Sequence, residues 1–127
     1  MAFGTLKADT LTHSTAGSVD TKYAVNGSSK AWCYFDGTQS TLSLDNSLNG
    51  SSLTDVTTGQ YDLNLTSSMA NLFFPVMFMA SDRNDNKASV PITTGSCRML
   101  NRTGINGSTA SDNDDDDCQC SLHGDLA

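Results

Sequence analysis

The chain has 127 residues, a formal net charge of −7 and 37% hydrophobic residues. That length builds one domain with one modest core, and the charge disfavours nucleic acid and anionic membrane surfaces, which both call for a cationic protein face. The acidic residues are all Asp, and Ser, Thr, Asn and Gly fill about two fifths of the chain, a composition that competes with helix backbone and favours turns, so the expected class is all-β.

In chain order, residues 1–20 read as an extended N-terminal arm, and residues 21–127 as a single β-sandwich domain. Leu6 and Leu11 would fall on opposite faces of a strand, so the arm is not a clean amphipathic strand. Tyr23-Ala24-Val25 reads as a short strand ended by the turn dipeptide Asn26-Gly27. Ala31-Trp32-Cys33-Tyr34-Phe35 is an aromatic-rich strand stopped by Asp36-Gly37. Thr41-Leu42-Ser43-Leu44 alternates, and Asn49-Gly50 closes the following piece. Gln60 to Thr66 alternates most cleanly, with Tyr61, Leu63 and Leu65 on one face and Asp62 and Asn64 on the other.

Leu72 to Ala80 is apolar on both faces, which suits a strand covered on both sides. Pro75 inside it cannot donate to a ladder and belongs at a bulge or an edge. A charged turn over 81–88 precedes strands at Val90–Thr93 and Cys97–Asn101. A polar loop over 103–117 leads to a last strand, Cys118 to Leu122. The expected core is Trp32, Tyr34, Phe35, Tyr61, Leu63, Leu65, Phe73, Val76 and Phe78. The other face of the apolar run, Leu72, Phe74, Met77 and Met79, is the candidate oligomer interface. Short antiparallel strands at this spacing predict a β-sandwich, jelly-roll-like in character.

The pattern Trp32-x-x-Phe35-Asp36-Gly37-Thr38 is followed by Asp45-Asn46-Ser47. Then come Ser52-Leu53-Thr54-Asp55, Thr58-Gly59, and Tyr61-x-Leu63-Asn64-Leu65-Thr66. This order resembles a module of structural proteins of marine bacteriophages, found in cyanophage-like tail-fibre and virion-surface proteins. The opening Phe3 to Leu11, the Ser14-Thr15-Ala16-Gly17 turn and the closing His123-Gly124-Asp125 are similar to the family's ends. The resemblance covers nearly the whole chain. It departs at the last strand, where Cys118-Gln119-Cys120-Ser121-Leu122 stands in place of an aromatic run.

The resemblance implies a non-enzymatic structural protein of a tailed-phage virion, assembled in the cytoplasm of a host bacterium. It would serve as a tail-fibre or adaptor component, or as a capsid decoration (head fibre) protein. It also implies a homotrimer and contacts with capsid or tail proteins, with Phe3, Leu6 and Leu11 of the arm as docking residues. A host surface glycan is a further partner of that class, and residues 67–70 would be a loop or one helical turn.

Asp112, Asp114 and Asp116 place oxygens at alternate positions, so weakly held calcium is the one cofactor that the sequence offers. An EF-hand would need Gly where Asp117 stands and Glu where His123 stands. The alternative function is a calcium-supported carbohydrate-binding module outside any virion, with Trp32, Tyr34 and Tyr61 as a stacking platform. No basic and apolar leader opens the sequence, so synthesis in a reducing cytoplasm is expected, with Cys33, Cys97, Cys118 and Cys120 as buried or half-buried thiols.

Overall fold

Turn chemistry cuts this chain into short strands, and the alternation within each strand decides which side chains meet. A computed structural model describes residues 8–81, 85–103 and 111–127. The elements are β1 (Thr10–His13), β2 (Gly17–Asp20), α1 (Thr21–Gly27), β3 (Ser29–Phe35), β4 (Asn46–Leu48), β5 (Gly50–Thr57), β6 (Gln60–Leu65), β7 (Val76–Ala80), β8 (Asp85–Thr93), β9 (Ser96–Thr103), β10 (Ser111–Asp112) and β11 (Cys118–His123). One sheet runs β4-β3-β11-β7, and the other runs β10-β9-β6-β5 with β8 also paired to β9. All pairings are antiparallel. The two sheets pack face to face as an all-β sandwich, with no closed barrel.

The core lies between the sheets. Ala31, Cys33, Phe35, Phe78, Cys118, Cys120 and Leu122 enter it from the four-stranded sheet. Tyr61, Leu63, Cys97 and Met99 enter from the other. Phe35 and Tyr61 meet edge to face across the gap, with ring centroids 5.1 Å apart. Asn49 marks the crossing from one sheet to the other. Its φ of +57° turns the chain between β4 and β5, and its side chain bonds both the amide (2.7 Å) and the carbonyl (3.0 Å) of Ser67. Among the described residues no helix is long and apolar enough to cross a membrane.

The expected core needs three corrections. Trp32 and Tyr34 are half-buried residues on the outer face of β3, because Ala31, Cys33 and Phe35 take the inner positions of the alternation. Phe73 is 94% exposed. The chain there is a turn, held by the Phe73 amide donating to Asn71 Oδ1 at 2.7 Å, and the ladder starts only at Val76. For the same reason Phe74, expected at an oligomer interface, turns inward and is buried beside Gly124. Phe35, Tyr61, Leu63 and Phe78 are buried as expected, and Leu65 and Val76 pack on the core's margin.

Other expectations also shift. The segment read as an extended arm folds back on itself over residues 10–20: β1 and β2 pair with each other and with neither sheet. Gly17, at a φ of +93°, makes that reversal accessible. Phe3 and Leu6 lie outside the described residues, and Leu11 is exposed beside its register partner Val19. The Tyr23-Ala24-Val25 strand is instead the one-turn-and-more helix α1, with no buried residue. Three residues are too few for alternation to declare a strand. Thr41 to Leu44 forms no ladder, although Leu42 and Leu44 still pack against the core.

Candidate functional site

The outer face of the four-stranded sheet carries the site. Strand register builds it in two rows. Leu48, Trp32, Ser121 and Met77 stand side by side across β4, β3, β11 and β7. Asn46, Tyr34, Gln119 and Met79 form the next row. The central strand contributes Ser121 and Gln119, while its neighbours contribute large apolar or aromatic groups. The result is a groove of about 390 Å³. Trp32 and Tyr34 wall one side, Met77 and Met79 wall the other, and β11 is the floor. Met77 and Met79 are 55% and 68% exposed, so this face of the run expected at an interface does lie open.

Polar groups stand at both ends. The Tyr34 hydroxyl donates to Asp117 Oδ1. That bond, then partial desolvation, pushes the Tyr34 pKa up to about 12. At the other end Ser121 Oγ lies 3.1 Å from Ser29 Oγ and 3.3 Å from His123 Nε2. Gln119 and Ser121 escaped the sequence reading, although their signal was present: in Cys118-Gln119-Cys120-Ser121-Leu122 every second residue is polar, and those residues face out.

The acidic run does something other than gather a metal. Asp112 pairs with Arg102 Nε at 2.8 Å and accepts from Gln60 Nε2 at 2.9 Å. Asp114 Oδ1 accepts from the Gly59 amide and the Tyr61 hydroxyl, both at 2.7 Å. Asp116 Oδ1 accepts from Ser81 Oγ at 2.9 Å, and Asp117 takes Tyr34. The three carboxylates read as a calcium set thus point at three different neighbours. Among the described residues no group of three His, Cys or Asp side chains could hold a metal ion. The run is a lace: Asp112 and Asp114 hold the five-stranded sheet, and Asp117 holds the four-stranded one. Tyr61, the third member of the expected stacking platform, is fully buried and serves this lace.

Alkaline pH tests the lace. Burial and then the bond to Asp114 raise the Tyr61 pKa, as the bond to Asp117 raises that of Tyr34. Both phenols hold their protons more tightly folded than unfolded. Their stabilisation is whole below the ordinary tyrosine value near 10 and is lost as pH climbs through about 12, where Tyr34 ionises. The urea midpoint is expected to fall from about pH 10 upward, and the fall should shrink in Tyr34→Phe. A midpoint that stays level to about pH 11 would contradict the assignment.

Comparison with protein-family models, with curated proteins and with solved structures finds no match to this chain.

Proposed function

We propose that the chain is a structural β domain of a tailed-phage virion, a tail-fibre, adaptor or capsid-decoration component that works by holding to copies of itself and to neighbouring virion proteins. The motif order from Trp32 to Thr66 supports the virion class. The observation that carries the self-association is the pairing of a hole and a knob on one molecule. The groove between Trp32 and Met77 is mostly apolar, and Phe73 stands 94% exposed in the turn that leads into β7. Trp, Tyr and Met are the residues enriched at protein interfaces, and charged groups are the ones depleted there. Phe73 of one copy seated in the groove of the next makes a head-to-tail contact. Such contacts close into a ring when the rotation between copies closes, as the trimer that the resemblance implies requires. The β1–β2 hairpin, with Leu11 and Val19 exposed as register partners, is the handle for a different virion protein.

Light scattering on the purified protein tests this. The wild type is expected to weigh a multiple of one chain, and Phe73→Asp a single chain that still unfolds in one cooperative transition. An exposed side chain contributes little to the fold, so the two readouts separate. A wild-type monomer at millimolar concentration defeats the self-association. The virion assignment stands or falls separately, on finding the chain in purified particles.

The second reading is a carbohydrate-binding module. It is favoured by the indole of Trp32 lying beside Gln119, Ser121 and the Asp117-bound Tyr34, a mixture of stacking face and hydrogen-bonding groups. Glycan titration of the wild type and Trp32→Ala distinguishes it: binding lost in the variant, by a protein that weighs one chain, favours the module.

A further inference from the structure

The groove and the lace leave one group of reactive side chains unused. Cys33, Cys97 and Cys120 all point into the core and are each 3% exposed or less. Cys33 and Cys120 are direct register partners across β3 and β11. Cys97 arrives from β9 in the facing sheet. The Cys120 thiol meets both of the others: the Cys33 thiol, then that of Cys97, then burial push it far above its ordinary pKa. Cys118 is turned elsewhere, its sulfur 3.5 Å from the Asp115 carbonyl oxygen. The structure holds all four as free thiols.

We propose that Cys33 and Cys120 are a disulfide-forming pair, oxidised by exchange with a small-molecule disulfide. Directly opposed residues of an antiparallel pair have Cα atoms about 4.5 or 5.5 Å apart. Both distances fall inside the range that a disulfide spans, about 4.4–6.8 Å. Both side chains leave the sheet on the same face, so the bond forms without moving the backbone register. One thiolate attacks the small disulfide and forms a mixed disulfide, releasing one small thiol. The second thiolate then attacks the protein sulfur of that mixed disulfide and releases the other. Two protein thiols become one S–S bond, and one small disulfide becomes two thiols that carry off the two protons.

Burial sets when this happens. The thiolate is the nucleophile, and a thiol deep in an apolar core rarely ionises. The folded chain therefore resists exchange, and the pair reacts when the sheets are apart, during folding or transient opening. Most of the chain lies between the two residues, so the bond closes a large loop and stabilises the fold strongly. The chain is a thiol protein where small thiols dominate and a stapled one where small disulfides dominate.

The test refolds the full chain from urea with glutathione disulfide, blocks remaining thiols with iodoacetamide, and maps peptides by mass spectrometry. The expected product is lighter by about 2 Da and yields a peptide linked through Cys33 and Cys120. Its melting temperature should rise by on the order of 10 °C and fall back in dithiothreitol. Cys97→Ser should keep both the link and the shift, which guards against a Cys33 or Cys120 variant that merely folds poorly. Alkylation of all four cysteines after oxidative refolding overturns the proposal, and so does a link through Cys97 or Cys118.

Discussion

Tyr61→Ala is expected to destabilise the fold by about 4 kcal/mol, the scale for deleting a large buried aromatic. Tyr61 is fully buried, packs edge to face on Phe35 and donates its hydroxyl to Asp114. Truncation opens a cavity where the two sheets touch. It also leaves a part-buried carboxylate with one donor fewer, and bonds to charged groups are worth about 1.5–3 kcal/mol each. Domains of this size are stable by about 5–15 kcal/mol, so the variant should sit near the edge of folding. Two companions divide the effect. Tyr61→Phe keeps the ring and loses only the bond, at about 2 kcal/mol. Trp32→Ala removes a half-buried ring from the outer face and should cost about 1 kcal/mol, well below a core value. Urea midpoints at a constant slope measure all three. If Trp32→Ala costs as much as Tyr61→Ala, the inward and outward assignments of β3 and β6 are wrong.

That contrast shows what alternation discloses and what it conceals. In Gln60 to Leu65 the outward residues are polar, so the inner face of β6 is plain, and Tyr61 and Leu63 are core both by pattern and by burial. In β3 every residue from Ala31 to Phe35 is apolar or aromatic. Size suggests that Trp32 and Tyr34 go inside, yet Ala31 and Cys33 do, in alternation with Phe35. The facing sheet explains this: Tyr61, Leu63 and Met99 already fill the gap, and opposite them there is room for Ala31, Cys33 and Cys120. Small inner residues on β11 are therefore matched to large inner residues on the other sheet.

The groove was half legible. The apolar run marks Met77 and Met79 as a candidate oligomer interface, but their neighbours across β11 depend on strand order, which no local pattern carries. The lace was legible only as charge. Its partners, Gly59, Gln60 and Tyr61 together, Arg102, Ser81 and Tyr34, come from four places in the chain. An acidic run with no visible partners resembles a metal loop, and it ceases to when each carboxylate has a donor of its own.

The tightest of those meetings is at Gly59, and Gly59→Ala is the second large loss expected. Gly59 ends the β5–β6 hairpin with a φ of +69°. A β-carbon there would lie 2.5 Å from the Asn101 carbonyl oxygen, 2.7 Å from the Asn113 amide nitrogen and 2.8 Å from the Asn113 carbonyl oxygen. All three are backbone atoms, so none can swing aside as a side chain would. Relief requires the hairpin to move. Movement strains the bond from the Gly59 amide to Asp114 and that from the Asn101 amide to the Gly59 carbonyl, each 2.7 Å long. Left-handed strain costs about 1–2 kcal/mol and the weakened bonds about as much again, so a loss of about 3–4 kcal/mol follows. Gly17→Ala supplies the control. Its φ is +93°, yet nothing lies within 4 Å of the added carbon. It should therefore show conformational strain alone, at about 1–2 kcal/mol, and leave the sandwich intact. Equal losses at the two sites would mean that the acidic run does not press on the hairpin. A larger loss at Gly59, accompanied by a weaker alkaline fall of the urea midpoint, would tie the hairpin, Asp114 and Tyr61 into one cooperative unit.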